Sequence, residues 1–234
     1  TGALVLLGDA TLLGAVGNIH SLSSITTAAN STATFSGTVD TKALNFKGDV
    51  VFNDEANITD TVNFTADAQS MTVKANSTFD SNFAGKNSTI IFDATADDLA
   101  FNGDITTTIN NTGTIVLQGA HQVNVTGKIG DATYVLSTIE LAADLGSASF
   151  SGGDVYAKNI TIKGGSADFS NNVMANIGLN GVGVGVNLGD SVKVTGAIDN
   201  TSIFDGSGEV TISGNAEITG AIGNTQALAS LVLN

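Results

Sequence analysis

The chain has no cysteine, no proline, no tryptophan and no arginine among its 234 residues. Without cysteine it has neither a disulfide framework nor thiol chemistry, and this absence alone does not identify a cellular compartment. Without proline its turns must depend on glycine and asparagine, which tolerate the backbone conformations that turns require. The early apolar run at 3–7 is far too short to cross a bilayer, so the sequence indicates neither a signal peptide nor an anchor.

Positive charge is scarce: eight lysines stand against 22 acidic residues, and the net charge is −14. A phosphate-rich partner would be repelled over most of such a surface, and no basic stripe offers it a binding site. We therefore predict that the chain binds no nucleic acid. The same acidity disfavours contact with an anionic membrane surface.

The residues that are present favour strands. Hydrophobic residues make up 42% of the chain and charged residues 13%, which excludes a disordered acidic tail. Short apolar segments alternate with Thr, Ser or Asn, as at 114–117 and 159–162, and Gly-Asp, Gly-Asn and Asn-Asn pairs separate them. This pattern predicts an all-β protein.

Two distant parts of the chain resemble each other. The segment 33–37, Ala-Thr-Phe-Ser-Gly, recurs at 148–152 as Ala-Ser-Phe-Ser-Gly, and the match continues from 52–58 to 169–177. Similarity of this kind is typical of stacked units, each burying its apolar face on the next. We predict one elongated unit over 1–234 with two long internal repeats, at about 8–118 and 119–234.

A short glycine cassette recurs at 14–18, 127–131, 196–200 and 220–224. Its last two copies begin at Gly196 and Gly220, a spacing close to one three-strand coil of a solenoid. We predict a right-handed parallel β-helix of about ten coils, each of roughly 20–24 residues and about 4.8 Å rise, in a rod about 50 Å long. A β-sandwich remains the alternative fold.

Within such a helix we expect eight phenylalanines to point inward and stack from coil to coil. They are Phe35, Phe46, Phe52, Phe64, Phe92, Phe101, Phe150 and Phe169. We also expect asparagines near the corners of the coils to form hydrogen-bonded ladders, namely Asn45, Asn57, Asn63 and Asn159.

Three short patterns resemble catalytic or binding motifs but lack essential parts. His20 and His121 have no spacing that suggests a metal site or a nucleophile pair. Gly189-Asp190-Ser191 has the Gly-Asp-Ser order of serine proteases, yet Val192 stands where a glycine shapes the oxyanion hole. The segment 181–186 lacks the third glycine and the following helix of a phosphate loop, so we expect it to pack against a neighbouring coil.

Acidic residues cluster at Asp54-Glu55 and Asp97-Asp98, with Asp93 and Asp104 nearby. Paired carboxylates can hydrolyse glycosidic bonds, and oxygen ligands can hold calcium. The glycine-rich repeat of calcium β-rolls is absent, however, and 164–167 does not fit it. We favour solvated turns as their role. We therefore predict a protein that is not an enzyme, with no catalytic, cofactor-binding or metal residues and no cofactor.

Three segments resemble the sequence repeats of a known family: 220–231, 101–105 and 123–129. Their sequences are similar to repeats of the rickettsial surface-cell-antigen autotransporters of the outer-membrane protein A and B type. The resemblance covers most of the chain in patches and concerns the exported passenger region. It implies a right-handed β-helix at the bacterial cell surface, joined to the outer membrane only through a C-terminal translocating barrel that this chain lacks. We accordingly expect a piece of a longer protein.

This resemblance implies attachment to host cells and entry into them. We predict a surface-exposed, non-enzymatic adhesin or invasin segment whose partner is a host-cell surface protein or glycan. The loops 53–60, 93–104 and 171–181 are its expected contact regions. One alternative is a purely structural surface layer or stalk. A carbohydrate-active β-helix enzyme is favoured least, because it requires converging aspartates and a nearby lysine in one groove.

Overall fold

A computed structural model describes residues 2–203 and 206–234. The described residues contain 28 β-strands and no helix, so none of them forms a helix that is long and apolar enough to cross a membrane. The strands pair in parallel with strands about one coil away in the sequence, as Leu4 does with Ile25. The all-β prediction is confirmed.

The chain winds around three faces and completes about eleven coils. Face 1 carries β1 (Ala3–Leu6), β3 (Ser24–Thr27), β6 (Leu44–Asn45), β9 (Val62–Asn63), β12 (Ser81–Asn82), β15 (Ile105–Thr106), β24 (Lys193–Thr195) and β27 (Glu217–Ile218). Face 2 carries β2 (Ala10–Leu12), β4 (Thr32–Phe35), β7 (Asp49–Phe52), β10 (Ser70–Val73), β13 (Thr89–Asp93), β16 (Thr112–Gln118), β18 (Leu136–Leu141) and β25 (Ile198–Asn200).

Face 3 carries β5 (Val39–Thr41), β8 (Ala56–Ile58), β11 (Ser77–Thr78), β14 (Leu99–Asn102), β17 (Gln122–Val125), β19 (Ser147–Phe150), β21 (Ser166–Phe169), β23 (Gly185–Leu188), β26 (Glu209–Ile212) and β28 (Ser230–Leu233). Two longer strands, β20 (Val155–Ile162) and β22 (Val173–Leu179), run around the corner from face 1 to face 2. Counted from β1, the eighth coil contains β20 and β21, and the ninth contains β22 and β23. The predicted parallel solenoid is confirmed, and its right-handed sense stays a prediction.

The core is a set of columns of inward-facing apolar side chains. Successive side chains of a strand point to opposite faces of the sheet, so every second residue turns inward. Strand β13 shows this alternation, since Ile90 and Phe92 are fully buried while Thr89 and Ile91 are only half-buried. On face 2 one continuous column runs through Ala33, Val50, Met71, Ile90, Ile115, Ile139, Ile160, Ile177 and Ile198.

All eight predicted core phenylalanines are buried, which confirms their inward orientation. Phe35 stacks on Phe52 with ring centroids 5.6 Å apart, and Phe150 stacks on Phe169 at 5.0 Å. The sequence reading missed two members of the stacks. Phe83 lies 4.8 Å from Phe64, and Phe79 lies 5.0 Å from Phe101.

The two copies of the long repeat lie on different faces of the solenoid. Segment 33–35 belongs to β4 on face 2, whereas the matching segment 148–150 belongs to β19 on face 3. Farther along, Leu44 is on face 1 and its counterpart Ile160 is on face 2. The repeated sequence therefore corresponds to a strand with its corner, and the second copy is displaced by one face relative to the first. The repeat boundaries at 8–118 and 119–234 stay a prediction.

The cassette spacing marks one coil, as predicted. Ile198 and Ile222, two residues after Gly196 and Gly220, form a parallel bridge between consecutive coils. A Cβ atom on Gly220 would lie 2.3 Å from the Gly196 carbonyl oxygen. Glycine recurs there because the backbones of adjacent coils approach too closely for a side chain.

The predicted asparagine ladders are wrong at the four positions named. Asn57 donates to Glu55 Oε1 at 3.0 Å, and Asn63 donates to the Thr61 carbonyl at 3.1 Å, so both amides bond within their own coil. Neither Asn45 nor Asn159 makes a side-chain hydrogen bond to any described residue. These residues alternate with inward ones along their strands, so their side chains point to solvent. At the corners, other asparagines and a larger number of aspartates accept a backbone N–H of the following coil.

Candidate interaction surfaces

Carboxylate and amide oxygens at the corners join each coil to the next. Asp80 Oδ1 accepts the backbone N–H of Asp104 at 2.8 Å, and Asp104 Oδ1 accepts that of Lys128 at 2.9 Å. The same bond to a following coil is made by Asp9, Asp49, Asp67, Asn76, Asp98, Asn110, Asp154, Asn172, Asn176, Asp190 and Asp199. The backbone leaves the sheet ladder at a corner, and these oxygens pair N–H groups there.

The acids singled out in the sequence are largely engaged in this local structure. Asp54 Oδ1 accepts the N–H of Glu55 at 2.8 Å, and Asp98 Oδ1 accepts that of Gln122 at 3.0 Å. Asp93 accepts the Thr95 hydroxyl and lies 3.7 Å from Lys74 Nζ. Asp54, Glu55, Asp97 and Asp98 lie in turns at the surface, as expected, and two of them, Asp54 and Asp98, also hold backbone N–H groups.

Two corner carboxylates have a displaced pKa. Backbone N–H groups of Tyr134 and Thr133 lower the pKa of Asp131. Burial raises the pKa of Asp199, but hydrogen bonds from Thr225 and neighbouring backbone N–H groups outweigh burial, and the pKa is lowered. A general acid of a glycosidase needs a raised pKa, so neither carboxyl suits that role.

The two histidines lie in different coils. His20 is exposed in the first coil, and His121 lies between β16 and β17 with Nδ1 3.8 Å from Asp98 Oδ1. Within 2–203 and 206–234, no three His, Asp or Glu side chains are placed to hold a metal ion.

The Gly189-Asp190-Ser191 segment is a turn after β23. Asp190 Oδ1 accepts the N–H of Asn215 on the following coil at 2.9 Å, so this aspartate acts as a corner acceptor. Segment 181–186 begins as a turn and continues into β23, and both Val184 before the strand and Val186 within it are buried. This agrees with the packing role expected for it, although Val182 at the tip is 81% exposed.

The expected contact loops are only partly loops. Segment 53–60 contains a corner followed by β8, and 93–104 contains a corner between β13 and β14. Segment 171–181 is mostly the strand β22, so its description as a loop was wrong. Inward burial of Val173, Ala175, Ile177 and Leu179 continues around the corner and keeps this segment in the wall of the solenoid.

The outward sides of faces 2 and 3 differ in chemistry. From β4 to β18, face 2 presents mainly hydroxyl and β-branched side chains in two columns. These columns are Thr32, Asp49, Ser70, Thr89, Thr114 and Thr138 beside Thr34, Val51, Thr72, Ile91, Val116 and Glu140. Face 3 presents amides and carboxylates, such as Asn187, whose Nδ2 lies 2.5 Å from Asp168 Oδ1.

Two adjoining hollows interrupt the surface, one at coils eight to ten and the other at coils six to ten. The first, which we call the face-2 hollow, has a volume of about 300 Å³ and is lined by Asn159, Ile160, Thr161, Asn176, Ile177, Gly178, Ala197, Asp199 and Thr201. The second, the corner hollow, has a volume of about 210 Å³ and is lined by Asn111, Val135, Ala157, Lys158, Met174, Ala175, Asn176 and Thr195. Asn176 borders both.

A larger hollow of about 440 Å³ lies near β4, β7 and β10 and includes Lys47, Asp67 and Gln69 in its lining. The Gln69 side chain is already used by the fold. Its Oε1 accepts the N–H groups of Thr65 and Ala66, and its Nε2 donates to the Phe46 carbonyl at 3.1 Å. This hollow is therefore built around a structural hydrogen-bond network.

Comparison with known proteins agrees with this architecture and with the resemblance found in the sequence. The chain is similar to Outer membrane protein A of Rickettsia rickettsii. The two are 28% identical over 243 aligned positions, which cover 93% of this chain and 10% of that protein. The chain thus spans about a tenth of the length of this curated relative. The predicted resemblance to the rickettsial surface antigens is confirmed. No family model matches the chain, and no solved structure matches it.

Proposed function

We propose that this chain is a stiff passenger segment displayed at a bacterial outer membrane, and that it acts there as a non-enzymatic adhesin or invasin. The observation that carries the proposal is the uninterrupted stack of about eleven coils around one apolar core. Similarity to an outer membrane protein over 93% of the chain supports the surface location. The partner is a host-cell surface protein or glycan, and nucleic acid is not a partner.

The proposed mechanism follows from the stack. Neighbouring coils are tied together by parallel ladders on the faces and by carboxylates at many corners. Stacked phenylalanines add to these contacts between coils two and five and between coils seven and eight. Bending such a rod would break several of these contacts at once, so the faces keep a fixed shape. A rigid surface loses little conformational entropy when it binds, which favours attachment through the side faces.

The distribution of carboxylates supports a non-enzymatic role. Asp80, Asp98 and Asp104 each have one oxygen occupied by a backbone N–H of another coil. A glycosidase instead needs two carboxyl groups directed at one substrate. We therefore place the carbohydrate-active enzyme behind the adhesin and behind the structural stalk.

The test is direct attachment to cells. Beads coated with the monodisperse 234-residue chain are counted on mammalian endothelial cells beside beads that carry an unrelated β-helix of similar charge. Retention clearly above this control is expected. Retention equal to the control would reject the adhesin role of this segment and favour the stalk, which the continuous core also supports.

A further inference from the structure

The face-2 hollow differs from the rest of face 2. Hydroxyl and β-branched side chains cover the earlier coils, but the column that contains Glu140 and Thr161 continues to Gly178 and then to Asp199. Because Gly178 has no side chain, the surface dips between Thr161 and Asp199, and the Thr201 side chain partly covers this dip, 3.0 Å from the position of a Cβ on Gly178. The parallel column places Asn159 beside Asn176 along the same hollow.

Several polar side chains in the hollow have unused hydrogen-bonding capacity. The amide of Asn159 and the hydroxyls of Thr161 and Thr201 make no hydrogen bond to any residue in the described part of the chain. Asn176 Oδ1 accepts the N–H of Ala197 at 3.2 Å, which leaves its NH₂ group available as a donor. Donors and acceptors thus point into one hollow from three successive coils.

We propose that the face-2 hollow binds a neutral oligosaccharide. A carboxamide presents a donor and an acceptor side by side, which suits two neighbouring hydroxyls of a pyranose ring. The adjoining corner hollow offers the exposed side chain of Met174 to the apolar C–H face of a following sugar. This inference rests on the proposed adhesin function, because it names the class of ligand that one face would contact.

The charges of the region favour a neutral ligand. Lys158 borders the corner hollow, but Asp199 lines the face-2 hollow, and Glu140 lies in the same column with its carboxylate 2.8 Å from Lys163 Nζ. The chain as a whole carries −14, so a sulfated or sialylated glycan would meet repulsion. A neutral glycan avoids this cost.

Other occupants fit less well. An extended peptide that adds to a sheet needs an open strand edge, but β20 and β22 are paired on both sides. A second copy of the chain needs about 800 Å² per partner, whereas three coils at about 4.8 Å by four residues at about 3.3 Å offer roughly 200 Å². The hollow instead matches one or two sugar rings, which bind weakly alone and gain strength through multivalent display.

The test uses beads that carry many copies of the 234-residue chain on an array of neutral, sialylated and sulfated glycans. We expect binding to neutral glycans. A double variant, Asn159→Ala with Thr161→Val, is expected to lower that binding about tenfold, since it removes two polar contacts. Gly178→Thr fills the dip and is also expected to lower this binding about tenfold. The variant is expected to fold, because its Cβ would contact only the Thr201 side chain, at 3.0 Å, and this side chain can move.

The matched control is Asn124→Ala with Ser149→Ala on face 3, which removes two outward polar side chains and is expected to leave glycan binding unchanged. Melting temperatures verify that every variant is folded. Absence of neutral-glycan binding, preference for charged glycans, or equal binding by the face-2 variants would overturn the inference. Retention on cells separates the two proposals: retention without glycan binding rejects only the hollow, and glycan binding without retention rejects only the adhesin role.

Discussion

At the scale of single residues, the cassette glycines show how position in the stack decides what a motif means. Gly14 and Gly127 open related cassettes in the sequence. A Cβ on Gly127 would lie 1.8 Å from the Gly103 carbonyl oxygen of the preceding coil, whereas a Cβ on Gly14 would meet nothing within 4 Å. The same residue is therefore demanded by a close backbone contact at one site and tolerated at the other.

Gly127→Ala is expected to destabilise the chain by about 1–3 kcal/mol, because two backbones must move apart. Gly14→Ala is the matched control and is expected to change stability by less than about 1 kcal/mol, with a small gain from the stiffer unfolded chain. Urea denaturation followed by circular dichroism measures both. Equal losses for the two variants would contradict the close-contact explanation.

At the scale of the corner, aspartates take the place that asparagine ladders were expected to fill. Asp131 Oδ1 accepts the N–H groups of Thr133 and Tyr134 at 2.7 and 2.8 Å and thereby closes the turn before β18. Asp199 reaches the following coil, where Thr225 donates its N–H at 2.9 Å. Bonds to an ionised oxygen are stronger than bonds to a neutral one, so the charge itself contributes to these corners.

Acid should weaken these corners. The folded-state pKa values of Asp131 and Asp199 are lowered, so the stability they contribute is complete above the unfolded value of about 3.9 and is lost as the pH falls through the folded values. Asp131→Asn keeps an acceptor but removes the charge. We expect this variant to melt at a lower temperature at pH 7 and to lose less stability than the parent below about pH 4. Parallel melting curves across this range would reject the role of the charge.

Strands were easier to predict from the sequence than corners. Alternation identified the segments 114–117 in β16 and 159–162 in β20 directly, because inward and outward residues obey a fixed period. Corner partners are separated by unequal lengths, as Asp154 with Asn172 and Asp199 with Thr225 show, so no fixed spacing reveals them. The Asn171-Asn172 pair is typical of a turn, and the strand β22 that begins directly after it was predicted as part of the loop 171–181.

The unequal length of the coils also explains why the face-2 hollow was not predicted from the sequence. Thr161, Gly178 and Asp199 come together only when three coils of different length are stacked in register. No one of these residues indicates a binding site within its own segment. The absence of a side chain at Gly178 creates a hollow only because Thr161 and Asp199 lie on either side of it. The sequence signal that would have found it is the interruption of the hydroxyl column, which requires the register first.

At the scale of the whole molecule, contacts connect each coil mainly with its neighbours. Surface ion pairs such as Lys193 with Glu217 join adjacent coils and are worth little individually because water screens them. Most of the stability therefore comes from the apolar columns of the core and from the backbone hydrogen bonds between parallel strands. A stack of this kind behaves as a nearly one-dimensional array, in which a defect is felt most strongly by the coils beside it.

Phe101→Ala tests this locality. Phe101 lies 5.0 Å from Phe79 and 4.9 Å from Phe92, and its removal from the core is expected to cost about 3–5 kcal/mol. Native-state hydrogen exchange should then accelerate in β11, β14 and β17, while β23 and β26 keep their protection, because the defect opens neighbouring coils first. Val182→Ala, at an exposed tip, serves as the control and should leave the exchange pattern unchanged. An equal acceleration in all strands would show instead that the eleven coils open as one cooperative unit.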